Sequence, residues 1–171
     1  MKKILQVNGK SQYDQDIHQA YRASACGPVT ARVMLDQFST DTCSYTINEL
    51  YPLLGGTKIG LFKRRFIRNM QKILGDDWIV AQCSLDEVKQ QINKGHLVAA
   101  KFDKWFKIRW FGKYKFDYHW VPVIGYEEKN EDIDLIIHDN GSRHHPSRIR
   151  RVSYKQNQAI LSFVKVEPRN A

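Results

Sequence analysis

Cys26 stands in Ser24-Ala25-Cys26-Gly27-Pro28, directly before the first segment whose apolar residues, Val29, Val33, Met34 and Phe38, recur at helical spacing. A thiol at a helix start faces unpaired N–H groups and the positive end of the helix dipole. Both stabilise thiolate over thiol and suit the sulfur to nucleophilic attack. Gly27 leaves room for a substrate carbonyl beside the backbone, where the Cys26 N–H can donate to an oxyanion. The plain alternative is a small buried cysteine, because free Cys is commonly a core residue. Cys43, in a polar loop, and Cys83, at a strand end before a helix cap, lack this setting and are expected to be bystanders.

A thiolate nucleophile needs a base. Asp117-Tyr118-His119-Trp120-Val121-Pro122-Val123-Ile124-Gly125-Tyr126 reads as a strand in which His119 shares a face with Asp117 and Val121. A second strand, Ile133-Asp134-Leu135-Ile136-Ile137-His138-Asp139, follows an acidic turn at 127–132. If the two strands pair, Asp139 returns beside His119, where a carboxylate holds the imidazole and stabilises its cation. Asp139-Asn140-Gly141 is also a turn signal in its own right. His138 alternates to the opposite face, and Asn140 is the other group able to orient His119. Zinc is disfavoured, since no Cys-x-x-Cys pair exists and His138, His144 and His145 have no cysteine at metal-site spacing.

The elements that must position these residues follow from periodicity and punctuation. Residues 1–24 read as a short strand and an irregular lead-in. Helices are expected from Cys26 with Pro28 in the first turn, from 46 to 54, and from 61 to 74 with Gly75 as stop. Strand 78–81 precedes a helix opened by a Ser84/Glu87 capping box and stopped by Gly95. Strands are expected at 97–100, 119–126, 133–138, 149–152 and 159–166, with a β-hairpin over 104–118 turning near Phe111-Gly112. On that hairpin Tyr114, Phe116, Tyr118 and Trp120 share one face. Helices first and antiparallel strands second define the α+β class, as one domain over residues 1–171.

Ala25-Cys26-Gly27-Pro28 heading a helix, the His-Trp-Val-Pro-Val-Ile-Gly-Tyr strand at 119–126, and an aspartate closing the next strand together resemble the bacteriocin-processing peptidases. Those are papain-like cysteine peptidases that cut leader peptides after a double glycine, and the resemblance extends to their stand-alone relatives. It covers roughly residues 12–166 and implies a papain-like fold, N-terminal helices packed on a C-terminal antiparallel sheet. It further implies Cys26, His119 and Asp139 as catalytic residues, a peptide or protein substrate, no cofactor, and an oxyanion-hole glutamine upstream of the cysteine. The position that the family gives this glutamine holds Ala20 here. Gln15 is the favoured substitute and Gln19 the alternative. The same constellation serves amide hydrolases and transferases, so peptidase is the narrower expectation.

Composition limits the partners. Lys plus Arg number 27 against 18 Asp plus Glu, a formal net charge of +9 and a pI near 9.5. Such a surface attracts polyanions, among them nucleic acid and anionic lipid. Residues 101–118 interleave lysines and arginines with aromatics, which suits single-stranded nucleic acid or an anionic membrane surface. The same alternation is the ordinary mark of a half-buried strand. No apolar run reaches the roughly 20 residues of a membrane helix, so a soluble protein is expected. The N-terminus lacks a secretory apolar core and three cysteines cannot all pair, which favours the cytoplasm. The competing function is a catalytically silent papain-like module that binds peptide or polyanion through the basic aromatic segment.

Overall fold

The computed structural model describes residues 1–38, 44–109 and 111–170. Among these, six helices and seven strands form an α+β structure with one antiparallel sheet. In chain order they are β1 (Lys2–Ile4), α1 (Gln19–Arg22), α2 (Cys26–Leu35), α3 (Ile47–Leu54), α4 (Lys63–Leu74), β2 (Trp78–Cys83) and α5 (Leu85–Lys94). Then come β3 (Val98–Asp103), β4 (Tyr118–Glu128), β5 (Ile133–Asp139), β6 (Arg148–Ser153), α6 (Tyr154–Asn157) and β7 (Leu161–Pro168). The strand order is β2-β7-β3-β4-β5-β6, and β1 pairs with the far end of β4.

The two-residue period of the strands supplies two cores, because successive side chains leave the sheet on opposite faces. Ala99, Trp120, Ile124, Ile136, Val164 and Val166 point to one side, where α2, α3 and α4 cover them. Val98, Val121, Val123, Ile137 and Phe163 point to the other, against Val88 and Ile92 of α5. The sheet is therefore covered on both faces, and α5 departs from the expected helices-then-strands arrangement. A β-bulge between Val123 and Gly125 shifts the alternation by one residue, which moves Tyr126 onto the α5 side.

Local chemistry explains the helix limits. Thr46 with Glu49 and Ser84 with Glu87 form the capping boxes that start α3 and α5. The lead-in contributes the strand β1 and the short helix α1, and Ile17 buries against Ala25, Val29, Ile47 and Tyr51. Helix α4 starts at Lys63, two residues later than its apolar pattern suggests. Leu61 is held out of the helix instead: its N–H donates to the Tyr118 hydroxyl (2.9 Å), and its carbonyl accepts from Tyr118 Oη and Trp120 Nε1.

Among the described residues of 104–118, the expected hairpin is absent. Residues 104–109 and 111–117 form an irregular loop between β3 and β4, while Trp110 lies outside the described residues. Its backbone bonds partly to side chains in place of a ladder: Asp103 Oδ1 accepts from the Phe106 N–H, and Asn157 Oδ1 from that of Lys115. The proposed common face is split. Tyr114 and Phe116 fold back on the α5-side core, whereas Tyr118 and Trp120 pack among the residues under α2 and α4. Trp105, Phe106, Ile108 and Phe111 stay exposed. Local alternation cannot tell this loop from a ribbon, since the choice depends on which distant core accepts each ring.

Candidate active site

Helix α2 is buried along almost its whole length, so its first residue is carried into the interior of the molecule. Cys26 is that residue, 4% exposed. His119 enters from the start of β4 and Asp139 from the end of β5, the two strands pairing antiparallel as their sequences suggest. His119 Nε2 lies 3.0 Å from Asp139 Oδ1. The second ring nitrogen is left for Cys26, which lies close enough for its sulfur to act on the charge of the imidazole. The structure thus brings Cys26, His119 and Asp139 into one connected set.

The electrostatics favour a charged imidazole. Burial opposes the His119 cation, but the hydrogen bonds and negative charge of Asp139 and Cys26 outweigh it and raise the pKa to about 9. Asp139 is shifted the other way. Burial alone raises a carboxyl, yet the His119 bond, the Arg150 charge and the Gly141 N–H (3.1 Å) hold it below the usual carboxylate range. Arg150 Nε approaches Asp139 Oδ2 at 2.9 Å, so each carboxylate oxygen faces its own cation. Cys83 makes the contrast: burial and the nearby Glu87 push its thiol up to about 12. Cys43 lies outside the described residues.

Two sequence expectations need correction. Gln15 is exposed and does not line the cleft around Cys26, because Arg22 Nη2 binds its carbonyl while Ile17 takes the inward position of that turn. Gln19 is exposed as well. Gln12 is the glutamine at the cleft, 6% exposed, with Nε2 donating to the Arg22 carbonyl at 2.9 Å and Oε1 buried without a partner. Nothing periodic distinguishes Gln12 from Gln15 in the sequence; contacts with distant segments, among them the Gln12 N–H bond to the Asn140 carbonyl (2.9 Å), select between them. Gly27 does not hold space for substrate either. A Cβ there would lie 2.7 Å from Leu61 Cδ2, so the missing side chain admits Leu61.

Asn140 makes no hydrogen bond to His119. Its amide Nδ2 reaches the Cys26 carbonyl (3.1 Å), Thr30 Oγ1 (3.0 Å) and the Trp120 carbonyl (2.9 Å), tying the start of α2 to β4. His138 points away, its ring packed on Gly9. Tyr118, whose hydroxyl pKa is raised by burial and by the Cys26 charge, holds the loop at Gly60 and Leu61. Gly60 has φ +110°, and a Cβ on it would meet the Tyr118 hydroxyl at 2.3 Å, so this close approach requires glycine.

These groups open onto a cleft of about 490 Å³, lined on its outer rim by Lys58, Ile59, Lys115, Ser142 and His145. Asp139 is the one carboxylate among the described lining residues, and its charge is taken up by His119 and Arg150. Among the described residues, no group of three or more His, Cys, Asp or Glu is placed to hold a metal ion. No helix among them is long and apolar enough to cross a membrane. No protein-family model matches the chain, and no curated protein matches it.

Proposed function

We propose that the protein is a papain-like cysteine peptidase acting through Cys26, His119 and Asp139. The observation that supports this most directly is His119 held between the Asp139 carboxylate and the sulfur at the start of a buried helix, at the floor of an open cleft. In this reading the Cys26 thiolate attacks a peptide carbonyl carbon, and the oxyanion accepts hydrogen bonds from the Cys26 N–H and Gln12 Nε2. Imidazolium His119 gives its proton to the departing amine, and the C–N bond breaks. Water then attacks the thioester, losing a proton to His119 and freeing the acid and the thiolate. Asp139 keeps the ring in one tautomer and stabilises its cation. No cofactor enters the scheme. Within this class we read the chain as a stand-alone relative of the double-glycine leader peptidases, on the Ala25-Cys26-Gly27-Pro28 and 119–126 motifs.

Alkylation by iodoacetamide at pH 7, followed by peptide mapping, tests the chemistry. Cys26 should label much faster than Cys83, and His119→Ala should slow it without changing Cys83. Equal, slow labelling that ignores His119 would leave the silent binding module as the better reading. A peptide panel tests the family: equal cleavage after Gly-Gly and after other pairs removes the leader-peptidase assignment and keeps the peptidase.

A further inference from the structure

The positive charge of this protein is concentrated in two segments. Residues 63–72 carry five Lys or Arg and residues 104–115 another five, and neither segment contains an acid. The rest of the chain then holds 17 cations against 18 acids, close to balance. The two segments adjoin: Phe62, the residue capping α4, packs edge-on against Phe106 of the loop at 5.2 Å. Between them runs a groove of about 650 Å³, floored by Lys101 and lined by Lys63, Arg64, Arg65 and Lys107. Asp103 is the one acid among its described lining residues and is paired with Lys101, 2.6 Å away. Partial burial, then the neighbouring cations, hold Lys63 and Lys107 below the ordinary lysine value, against the opposing charge of Asp103.

Beside this groove, four large apolar side chains within seven residues face solvent. Trp105 is 52% exposed, Phe106 55%, Ile108 78% and Phe111 95%. Apolar tips ringed by lysine and arginine are what an anionic bilayer surface attracts: the cations meet the phosphate layer and the apolar groups enter the acyl boundary.

We infer that loop residues 104–109 and 111–113, with the exposed face of α4, form a docking surface for an anionic lipid bilayer. Single-stranded nucleic acid fits the charge equally well but the apolar groups less well. Its bases stack on aromatic faces along a groove. Ile108 offers no such face, and Phe111 stands away from any platform with almost its whole surface in water. The inference is independent of the peptidase reading, since Trp105, Phe106, Ile108, Phe111 and the α4 cations do not line the cleft around Cys26.

Co-sedimentation of the full chain with vesicles tests it. Binding to phosphatidylglycerol/phosphatidylcholine vesicles should exceed binding to pure phosphatidylcholine at least tenfold and weaken as sodium chloride rises. Ile108→Ser with Phe111→Ser should cut it about tenfold, and so should Arg64→Gln with Arg109→Gln and Lys113→Gln. All five sites are exposed, and an unchanged circular dichroism melt confirms that each protein folds. Equal binding to both vesicle types, or no loss in the serine variant, overturns the proposal. So does displacement by inorganic phosphate at constant ionic strength, which would mark a soluble-anion site. Tighter salt-dependent binding to poly(U) than to the anionic vesicles, undiminished in the serine variant, would assign the face to nucleic acid.

Discussion

Strand β4 and the loop that feeds it are both rich in aromatic residues, yet they meet opposite fates. In β4, Trp120 is fully buried, stacks on Phe66 with centroids 4.7 Å apart and donates to the Leu61 carbonyl. In the loop, Phe111 contacts little but solvent. The difference lies in neighbours rather than composition: β3 and β5 flank β4, whereas the loop lacks a paired strand. The base of the proposed reaction would have to be held to within fractions of an ångström, and His119 sits where the chain is most constrained. A surface that adapts to a partner belongs where it is least constrained.

The sharpest way to break this comparison is one deletion on each side. Trp120→Ala removes a buried ring and one of the two hydrogen bonds to the Leu61 carbonyl, so urea unfolding should show a loss of about 3–5 kcal/mol. Phe111→Ala should stay within about 0.5 kcal/mol of wild type. A large loss at Phe111 would mean that the loop is packed after all. Next in size is the glutamine pair. If Gln12 donates to an oxyanion, Gln12→Ala lowers kcat by roughly 10²–10³-fold with a small change in KM. Gln15→Ala, outside the cleft, should leave both constants unchanged, and the reverse outcome would restore Gln15 to the site.

How far the sequence reveals this molecule follows the same division. Helices α2, α3 and α5 and the strands from β2 onward announce themselves, because their periods, caps and glycine stops act within a few residues. The approach of Asp139 to His119 was legible too, through a short turn between two apolar strands. What was not legible depends on contacts far apart in the chain. Gln12 over Gln15, Arg150 behind Asp139, and Asn140 spanning α2 and β4 are all chosen by packing between distant segments. The 104–116 loop failed for the same reason, since its alternation pointed to a ribbon that no neighbouring strand completes.

The buried pair also makes the two regions respond differently to pH. An ordinary histidine titrates near 6.5, and His119 in the folded protein near 9. The folded state therefore holds this proton more tightly than the unfolded chain does. The resulting stabilisation is fully present below about pH 6.5 and is lost as the pH rises through about 9. Unfolding free energies of wild type minus His119→Gln should fall by roughly 1–3 kcal/mol between pH 6 and pH 9.5. Phe111→Ala should track wild type across the same range. A flat difference for His119→Gln would show that the imidazole is not held as a cation.

The smallest expected effect tests where the two regions touch. Lys115 belongs to the loop yet lines the cleft together with Lys58, and the lining carboxylate Asp139 is already engaged. Exposed charges of this kind contribute modestly, about 0.5–1 kcal/mol, because water and salt screen them. Acidic peptides should accordingly show a severalfold lower KM than neutral peptides of the same length, with similar kcat. Lys58→Gln with Lys115→Gln should erase that preference, and 0.5 M salt should erase it in wild type. If neutral peptides bind as well as acidic ones at low salt, the rim lysines are solvated bystanders. The positive charge of the loop would then end at the α4 groove rather than reach the substrate.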